Sequence, residues 1–319
     1  MRLLTKFAIA VVTIALAACA PADPPPAEEH GTQGLETRPF TAQLNGFNIH
    51  YEIHGQGPVL MVLPNSWGLS LAGLRGIFEP LEEKLTMVYF DPRGMGESSE
   101  IREESDMGMA AVRADFQALR EHLGFESVNA IGWSNGASNL IMLAAERPEA
   151  IDAAIFLHGA ASFTEDDMAA YAARYPEVIE VWTAFIGEMQ DPNLTDDVRT
   201  ERMRAMWLEE WFPLSFADRA AASATLDRIF GDAEFSWAHG DYSQLEHPTF
   251  DARDQLPLIT ARSLVITGAH DTMPVSKGEE LAAGIQNAEF VLFEASGHYA
   301  PAEEPEAFEK LVFDFLGVN

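Results

Sequence analysis

A serine between two glycines is the first feature of this sequence that could do chemistry. Residues 132–136 read GWSNG, and Ser134 lies between the apolar run 128–133 and a second apolar run that starts near Ala137. A strand, a sharp turn and a helix in this order expose a serine hydroxyl at the helix N-terminus, where negative charge is favoured. The alternative is an ordinary turn that matches G-x-S-x-G by chance. We predict that Ser134 is a nucleophile.

A serine hydroxyl becomes a good nucleophile only when a base takes its proton and a carboxylate orients that base. Asp271 follows the predicted strand 264–267, and His298 follows the predicted strand 290–293. Ligands of open α/β sheets bind beyond the carboxyl ends of the strands, where these two loops lie. The sequence therefore predicts a catalytic triad of Ser134, His298 and Asp271.

The elements that must position these residues alternate along the chain. Short apolar runs occupy 59–63, 87–90, 128–133, 153–157, 263–267 and 290–293, with helical patterns between most of them. Such alternation predicts an α/β fold with a mostly parallel central sheet and helices on both faces. We predict that 39–160 and 253–319 form the two parts of this core.

The segment 161–252 separates the two parts of the core and contains four of the six tryptophans. Its helical spacing predicts an inserted cap in which one continuous helical face runs from Tyr171 to Met189. A second helical stripe contains Met203, Met206, Trp207, Glu210 and Trp211. We predict that Trp207, Trp211 and Glu210 contact the substrate, although Glu210 at the solvated edge of the stripe is the alternative.

Two further residues are candidates for the substrate pocket. Trp133 immediately precedes Ser134, and His158 follows the predicted strand 155–157. Both would lie near the carboxyl ends of strands, where the pocket is expected. For His158 the alternative is a histidine that only packs in the core.

The N-terminus predicts export. Arg2 and Lys6 precede an apolar run, 7–18, which is too short to span a bilayer, so 1–18 is interpreted as a signal peptide. The run ends in LAAC, which resembles a bacterial lipobox and implies lipidation of Cys19, with the proline-rich segment 19–38 as a flexible tether. We expect the protein to be anchored to a membrane by this lipid and to face the periplasm or the cell exterior. Ordinary cleavage near Ala20, which would discard Cys19, is the alternative.

Composition excludes several classes of function. The 319 residues contain 20 Lys and Arg against 50 Asp and Glu, so the net charge of −30 repels nucleic acids. The single cysteine allows no internal disulfide. The chain has no H-E-x-x-H, no cysteine cluster and no acidic calcium loop, so we predict no metal and no cofactor. The sequence does not indicate an oligomeric state.

Four stretches together resemble the α/β-hydrolase family: GWSNG at 132–136, DPRGMGES at 91–98, GAHD at 268–271 and SGH at 296–298. The resemblance covers roughly 40–160 and 253–319. It implies an oxyanion hole formed by the backbone N–H of Asn135 and by a second N–H from the loop after 59–63, where Trp67 aligns as the donor. Asn65 and Ser66 depart from the pair that is usual in that loop.

The resemblance extends to small esterases and to proline iminopeptidases, so it leaves three functions open. The first is an exported serine hydrolase that cleaves a small-molecule carboxylic ester. The second is an aminopeptidase that releases N-terminal proline from a short peptide, with Glu210 binding the free amino group. The third is a non-catalytic homologue that uses the pocket to bind a ligand.

Overall fold

The computed structural model describes residues 37–246 and 250–318, and the predicted signal peptide and Cys19 lie outside this part. One sheet holds eight strands in the order β1-β2-β4-β3-β5-β6-β7-β8. The strands are β1 Arg38–Leu44, β2 Phe47–Gly55, β3 Val59–Leu63, β4 Thr86–Phe90, β5 Val128–Trp133, β6 Ile151–Leu157, β7 Arg262–Gly268 and β8 Ala288–Phe293.

Eleven α-helices accompany the sheet in the described residues. They are α1 Leu71–Phe78, α2 Gly108–His122, α3 Asn135–Glu146, α4 Glu165–Arg174, α5 Pro176–Met189, α6 Asp196–Ala205, α7 Ala222–Phe230, α8 Trp237–Glu246, α9 Val275–Gly284, α10 Ala300–Glu303 and α11 Pro305–Leu316. None of these helices is both long and apolar enough to cross a lipid bilayer.

The sheet is parallel from β4 through β3 to β8, while β1 and β2 pair in the antiparallel direction. The pairing aligns Leu63 with Gly132, Trp133 with Leu157, and Gly268 with Phe293. The carboxyl ends of these six neighbouring parallel strands therefore meet at one edge of the sheet. The loops that carry Ser134, Asp271 and His298 all start from that edge.

Helices cover both faces of the sheet because the strand side chains are apolar on both sides. In β3, Leu60 and Val62 contribute to one hydrophobic core, whereas Val59, Met61 and Leu63 contribute to the other. The first core includes side chains of α1 and α11, and the second includes side chains of α2, α3 and α9. The predicted α/β fold with a mostly parallel sheet and helices on both faces is confirmed.

Five helices, α4 to α8, lie between β6 and β7 in the chain. The prediction of one continuous helical face from Tyr171 to Met189 is wrong, because α4 ends at Arg174 and α5 begins at Pro176. Proline has no N–H to donate to the preceding turn and disfavours helical angles in the residue before it. Tyr175 accordingly leaves the helical region, with φ −128° and ψ 65°.

The second stripe of this segment also departs from a regular α-helix. After α6, the chain forms a π-helical turn over Met206–Trp211 and then a 3₁₀ turn over Phe212–Ser215. A π-helical turn contains more residues than an α-helical turn. Side chains that a 3.6-residue period assigns to one face therefore separate in this turn.

Candidate active site

The turn that carries Ser134 is tight and strained. β5 ends at Trp133, α3 begins at Asn135, and Ser134 between them has φ 55° and ψ −121°. A Cβ on Gly132 would overlap the carbonyl oxygen of Gly136, so a side chain at this position is sterically excluded. A non-glycine residue with positive φ is strained and persists only where its surroundings hold it, which is typical of functional sites.

The loops after β7 and β8 bring Asp271 and His298 together. Nδ1 of His298 lies 2.7 Å from Oδ2 of Asp271, and Asp271 is only 2% exposed. The second carboxylate oxygen of Asp271 accepts the backbone N–H of Met273 at 2.8 Å. Ser134 and His298 line the same cavity. The structure thus assembles the three predicted residues at the carboxyl edge of the sheet.

Asp271 is ionised in this environment. Burial is the largest single influence and raises the pKa of its carboxyl group. The adjacent His298 and a second imidazole, that of His158, together outweigh burial and hold the pKa of Asp271 well below its usual range. An ionised carboxylate at Nδ1 favours the tautomer of His298 whose Nε2 is free to accept a proton.

The side chain of Glu303, the backbone carbonyl of Ser215 and the indole of the predicted pocket residue Trp133 hold the His298 loop. Glu303 accepts the backbone N–H of Gly297 at 2.8 Å, and the carbonyl of Ser215 accepts the backbone N–H of His298 at 2.7 Å. The indole Nε1 of Trp133 donates to the carbonyl of His298 at 3.0 Å. The sequence does not reveal Glu303 and Ser215 as parts of the site, because both act through contacts with the backbone that leave no spacing signal.

The second imidazole at the site belongs to His158. Its side chain is fully buried, and its Nδ1 lies 3.0 Å from the same Oδ2 of Asp271 that contacts His298. The two imidazole centroids are 5.0 Å apart. His158 also lines the cavity.

The loop after β3 brings Ser66 against the residue that follows Ser134. Both the backbone N–H and the hydroxyl of Ser66 donate to Oδ1 of Asn135, at 2.7 and 2.9 Å. The ring of Trp67, whose backbone N–H is the predicted second donor, lines the cavity and packs on Trp207 at a centroid distance of 5.4 Å. Ser66 was missed because only the folded loop shows which N–H faces Asn135.

The cavity beside Ser134 has a volume of about 330 Å³ and a mainly aromatic wall. Its largest side chains are Trp67, Trp133, Trp182, Trp207, Trp211 and Tyr171. Among the residues that the structure describes, no Asp, Glu, Lys or Arg side chain lines it. Ionised groups are costly to bury without a partner, so this wall suits an uncharged ligand.

The structure does not bring Glu210 into this cavity. Its Oε1 accepts from Nη1 of Arg202 at 2.7 Å, and 38% of its side chain is exposed. The neighbours Trp207 and Trp211 do line the cavity. The π-helical turn over Met206–Trp211 explains the separation, because it rotates Glu210 off the stripe that a regular helix would form.

Three side chains of the site could serve as metal ligands by their chemistry. His158, Asp271 and His298 each offer one ligand atom, and these atoms lie within 4.8 Å of one another. Two imidazoles and a carboxylate are common zinc ligands. The 2.7 Å contact between His298 and Asp271 has the length of a hydrogen bond, and a metal between these atoms would require that bond to open.

Comparison with known proteins defines the class of this chain. A family model described as alpha/beta hydrolase fold matches residues 59–305, and the chain therefore belongs to the alpha/beta hydrolase fold family. It is 23% identical over 274 residues to the AB hydrolase superfamily protein YclE of Bacillus subtilis (strain 168). The match covers 83% of this chain and 94% of YclE.

A second relative and a solved structure agree with this class. The chain is 25% identical over 277 residues to 2-hydroxy-6-oxononadienedioate/2-hydroxy-6-oxononatrienedioate hydrolase 2 of Pseudomonas putida, covering 84% of this chain and 91% of the relative. The fold of this chain is similar to that of an alpha/beta fold family hydrolase from Bacillus anthracis str. Sterne, with a TM-score of 0.73 and 22% sequence identity. The match covers 88% of this chain and 99% of the solved chain.

Proposed function

We propose that the protein is an exported serine hydrolase that cleaves uncharged carboxylic esters by acyl transfer to water. The observation that carries the proposal is the 2.7 Å contact between His298 and Asp271 on loops beside Ser134, in a cavity that both Ser134 and His298 line. Nucleophile, base and orienting acid are the groups that acyl transfer requires.

The reaction proceeds in two halves. His298 takes the proton of the Ser134 hydroxyl, and the Ser134 oxygen attacks the ester carbonyl to form a tetrahedral intermediate. The intermediate collapses, the C–O bond to the alcohol breaks, and His298 gives its proton to the leaving alcohol. Water, deprotonated by His298, then attacks the acyl-enzyme, and the acid departs as Ser134 regains its proton. Asp271 stabilises the imidazolium in both halves.

Two backbone donors would stabilise the oxyanion. The N–H of Asn135 begins α3, next to Ser134. For the second donor we propose the N–H of Trp67, because the N–H and the hydroxyl of the preceding Ser66 are both engaged by Oδ1 of Asn135, at 2.7 and 2.9 Å.

The uncharged cavity wall sets the substrate class apart from that of one relative. The Pseudomonas putida hydrolase is named for a dioate, which carries two carboxylates. A buried carboxylate requires a cation or several donors, and no Lys or Arg among the described residues lines this cavity. An uncharged ester with an apolar or aromatic group fits the tryptophan-rich wall better.

The contacts of Glu210 also favour an ester over an N-terminal proline peptide. The aminopeptidase hypothesis needs a carboxylate in the pocket for the free amino group, but Glu210 pairs with Arg202 at 2.7 Å and is 38% exposed. If the aminopeptidase hypothesis were correct, Glu210→Gln would strongly impair cleavage of proline p-nitroanilide. We expect the variant to hydrolyse neutral esters at the wild-type rate and to leave proline p-nitroanilide as poor a substrate as before.

A fluorophosphonate probe tests the nucleophile directly. We expect the wild-type protein to be labelled at Ser134 and Ser134→Ala to be unlabelled, with kcat for p-nitrophenyl butyrate lower by about 10⁴-fold or more. Ser105→Ala, at an exposed serine, is the matched control and should behave as the wild type. A wild-type protein that resists labelling while folded would favour the non-catalytic ligand-binding hypothesis.

The substrate class is tested with esters that share one leaving group. p-Nitrophenyl butyrate and p-nitrophenyl hemisuccinate differ mainly in a terminal carboxylate. We expect kcat/KM to be at least about 100-fold higher for the butyrate, because the carboxylate would lose its hydration in an uncharged cavity. Equal values for the two esters would contradict the proposed preference for uncharged substrates.

Export and membrane anchoring are part of the same proposal and rest on the sequence of residues 1–38. We expect the full-length protein, expressed in a bacterium, to fractionate with membranes and to incorporate a labelled fatty acid at Cys19. Cys19→Ser should abolish the incorporation and release the protein into the soluble exported fraction. Fatty-acid incorporation that persists in this variant would contradict lipidation at Cys19.

A further inference from the structure

The buried imidazole of His158 takes no part in the proposed acyl transfer, although it contacts Asp271, the acid of the proposed catalytic triad. Its backbone φ is 52°, and its N–H donates to the carbonyl of Ile266 at 2.8 Å. Among the described non-glycine residues, only Asn45, Ser134 and His158 have positive φ. Strain of this kind persists where the surrounding structure fixes a side chain in one position.

The contact between His158 and Asp271 determines where the imidazole proton resides. Nδ1 of His158 lies 3.0 Å from Oδ2 of Asp271, the oxygen that also contacts His298 at 2.7 Å. Within the described residues, neither ring nitrogen of His158 has a hydrogen bond of good direction. Without a proton, the partially negative Nδ1 would lie 3.0 Å from an anionic oxygen and be repelled by it, whereas a proton on Nδ1 makes this electrostatic contact attractive.

Burial keeps this second imidazole uncharged. It lowers the pKa of His158, the contact with Asp271 raises the pKa in part, and the nearby His298 lowers it again. The other ionisable groups that face Asp271 are Tyr171, Tyr175, Tyr299 and Glu303. Burial raises the pKa values of Tyr171 and Tyr299, so these phenols stay neutral near pH 7.

We propose that His158 is a positioning residue that acts through Asp271, with its Nδ1–H held against the oxygen that His298 also uses. The inference rests on the proposed function. Because the carboxylate charge is shared between two donors, Asp271 stabilises the protonated form of His298 less strongly than it would with one donor. Hydrolysis then continues further into the acidic range.

Two variants of similar size separate this role from simple packing. The amide nitrogen of Asn superposes on Nδ1 of a histidine, so His158→Asn keeps a donor near Asp271, and Asn tolerates positive φ. His158→Leu has a similar shape and no donor. We expect the acidic limb of the kcat/KM profile for p-nitrophenyl butyrate to move up by about 0.5 to 1 pH unit in His158→Leu and by less than about 0.3 unit in His158→Asn.

A readout without turnover keeps the test independent of the proposed activity and of the folding of the Leu variant. In ¹⁵N-histidine spectra of Ser134→Ala, we expect His158 to remain neutral with its proton on Nδ1 from pH 5.5 to 9. A proton on Nε2 alone, or titration of His158 within this range, would overturn the inference. Equal shifts of the acidic limb in the Asn and Leu variants would also overturn it, whereas failure of Ser134 to react with fluorophosphonate would refute only the proposed function.

Discussion

Asp271 is the residue on which the electrostatics of the candidate site depend. Its carboxylate is buried, and the contacts at 2.7 and 3.0 Å with two imidazoles meet the same oxygen, Oδ2. A buried carboxylate without donors would be protonated near neutral pH. The donors around Asp271 prevent this, so the acid is available to orient His298 and to stabilise its charge.

Asp271→Asn should therefore impair chemistry far more than binding. The amide cannot supply the negative charge, and its NH₂ group would face the N–H of His298 or favour the wrong imidazole tautomer. We expect kcat for p-nitrophenyl butyrate to fall by about 10³- to 10⁴-fold, with KM changed by less than about threefold. Asp232→Asn, at an exposed aspartate, is the control. A loss of less than tenfold would contradict the role of Asp271.

At the scale of elements, the His298 loop depends on the short helix α10, which follows it. The two carboxylate oxygens of Glu303 accept the N–H of Ala217 at 2.7 Å and the N–H of Gly297 at 2.8 Å. Ala217 belongs to the inserted segment between β6 and β7, and Gly297 precedes His298. One side chain thus joins the inserted segment to the loop that carries the proposed base.

Glu303→Gln tests this connection, because a glutamine has only one acceptor oxygen and would present an NH₂ group to the second N–H. We expect kcat to fall by about tenfold, and the free energy of unfolding to fall by about 1–3 kcal/mol. Urea unfolding and ester hydrolysis measure the two effects. Glu279→Gln, at an exposed position of α9, is the control.

The two measurements on Glu303→Gln distinguish support of the loop from general stability. A lower free energy of unfolding with an unchanged kcat would mean that Glu303 stabilises the fold without positioning His298. A lower kcat with an unchanged fluorophosphonate labelling rate would also contradict the positioning role, since labelling depends on the same base.

At the scale of the whole molecule, the dominant feature is the net charge of −30. Self-repulsion of such a charge destabilises the compact state, and salt reduces it. We expect Tm at pH 8 to rise by several degrees between 0.1 and 1 M NaCl, over which the Debye length falls from about 10 to about 3 Å. Thermal unfolding followed by circular dichroism measures the change.

The isoelectric point provides the control for this effect. The sequence pI is about 4.4, so the net charge and its repulsion are much smaller near pH 5 than at pH 8. The same salt step should then change Tm by clearly less at pH 5. An equal rise at both pH values would assign the salt effect to preferential exclusion of salt from the protein surface rather than to screening.

The sequence by itself determined the α/β class of the fold, because alternating apolar runs and helical patterns report local burial. The chain order of Ser134, Asp271 and His298 could be derived in the same way, since each follows an apolar run that predicts a buried strand. Such patterns can be recognised without knowledge of the tertiary structure, because a strand or a helix buries its apolar side chains wherever it packs.

Only the tertiary structure decided which other groups reach the site. Glu210 left the predicted stripe because a π-helical turn changes the period, and Ser66 contacts Asn135 through a loop whose path no periodicity encodes. His158 meets Asp271 because β6 and β7 are neighbours in the sheet, although 113 positions separate the two residues (271 − 158). Contacts between distant segments depend on strand order and loop conformation. The local spacing of residue types along the sequence predicts neither of them.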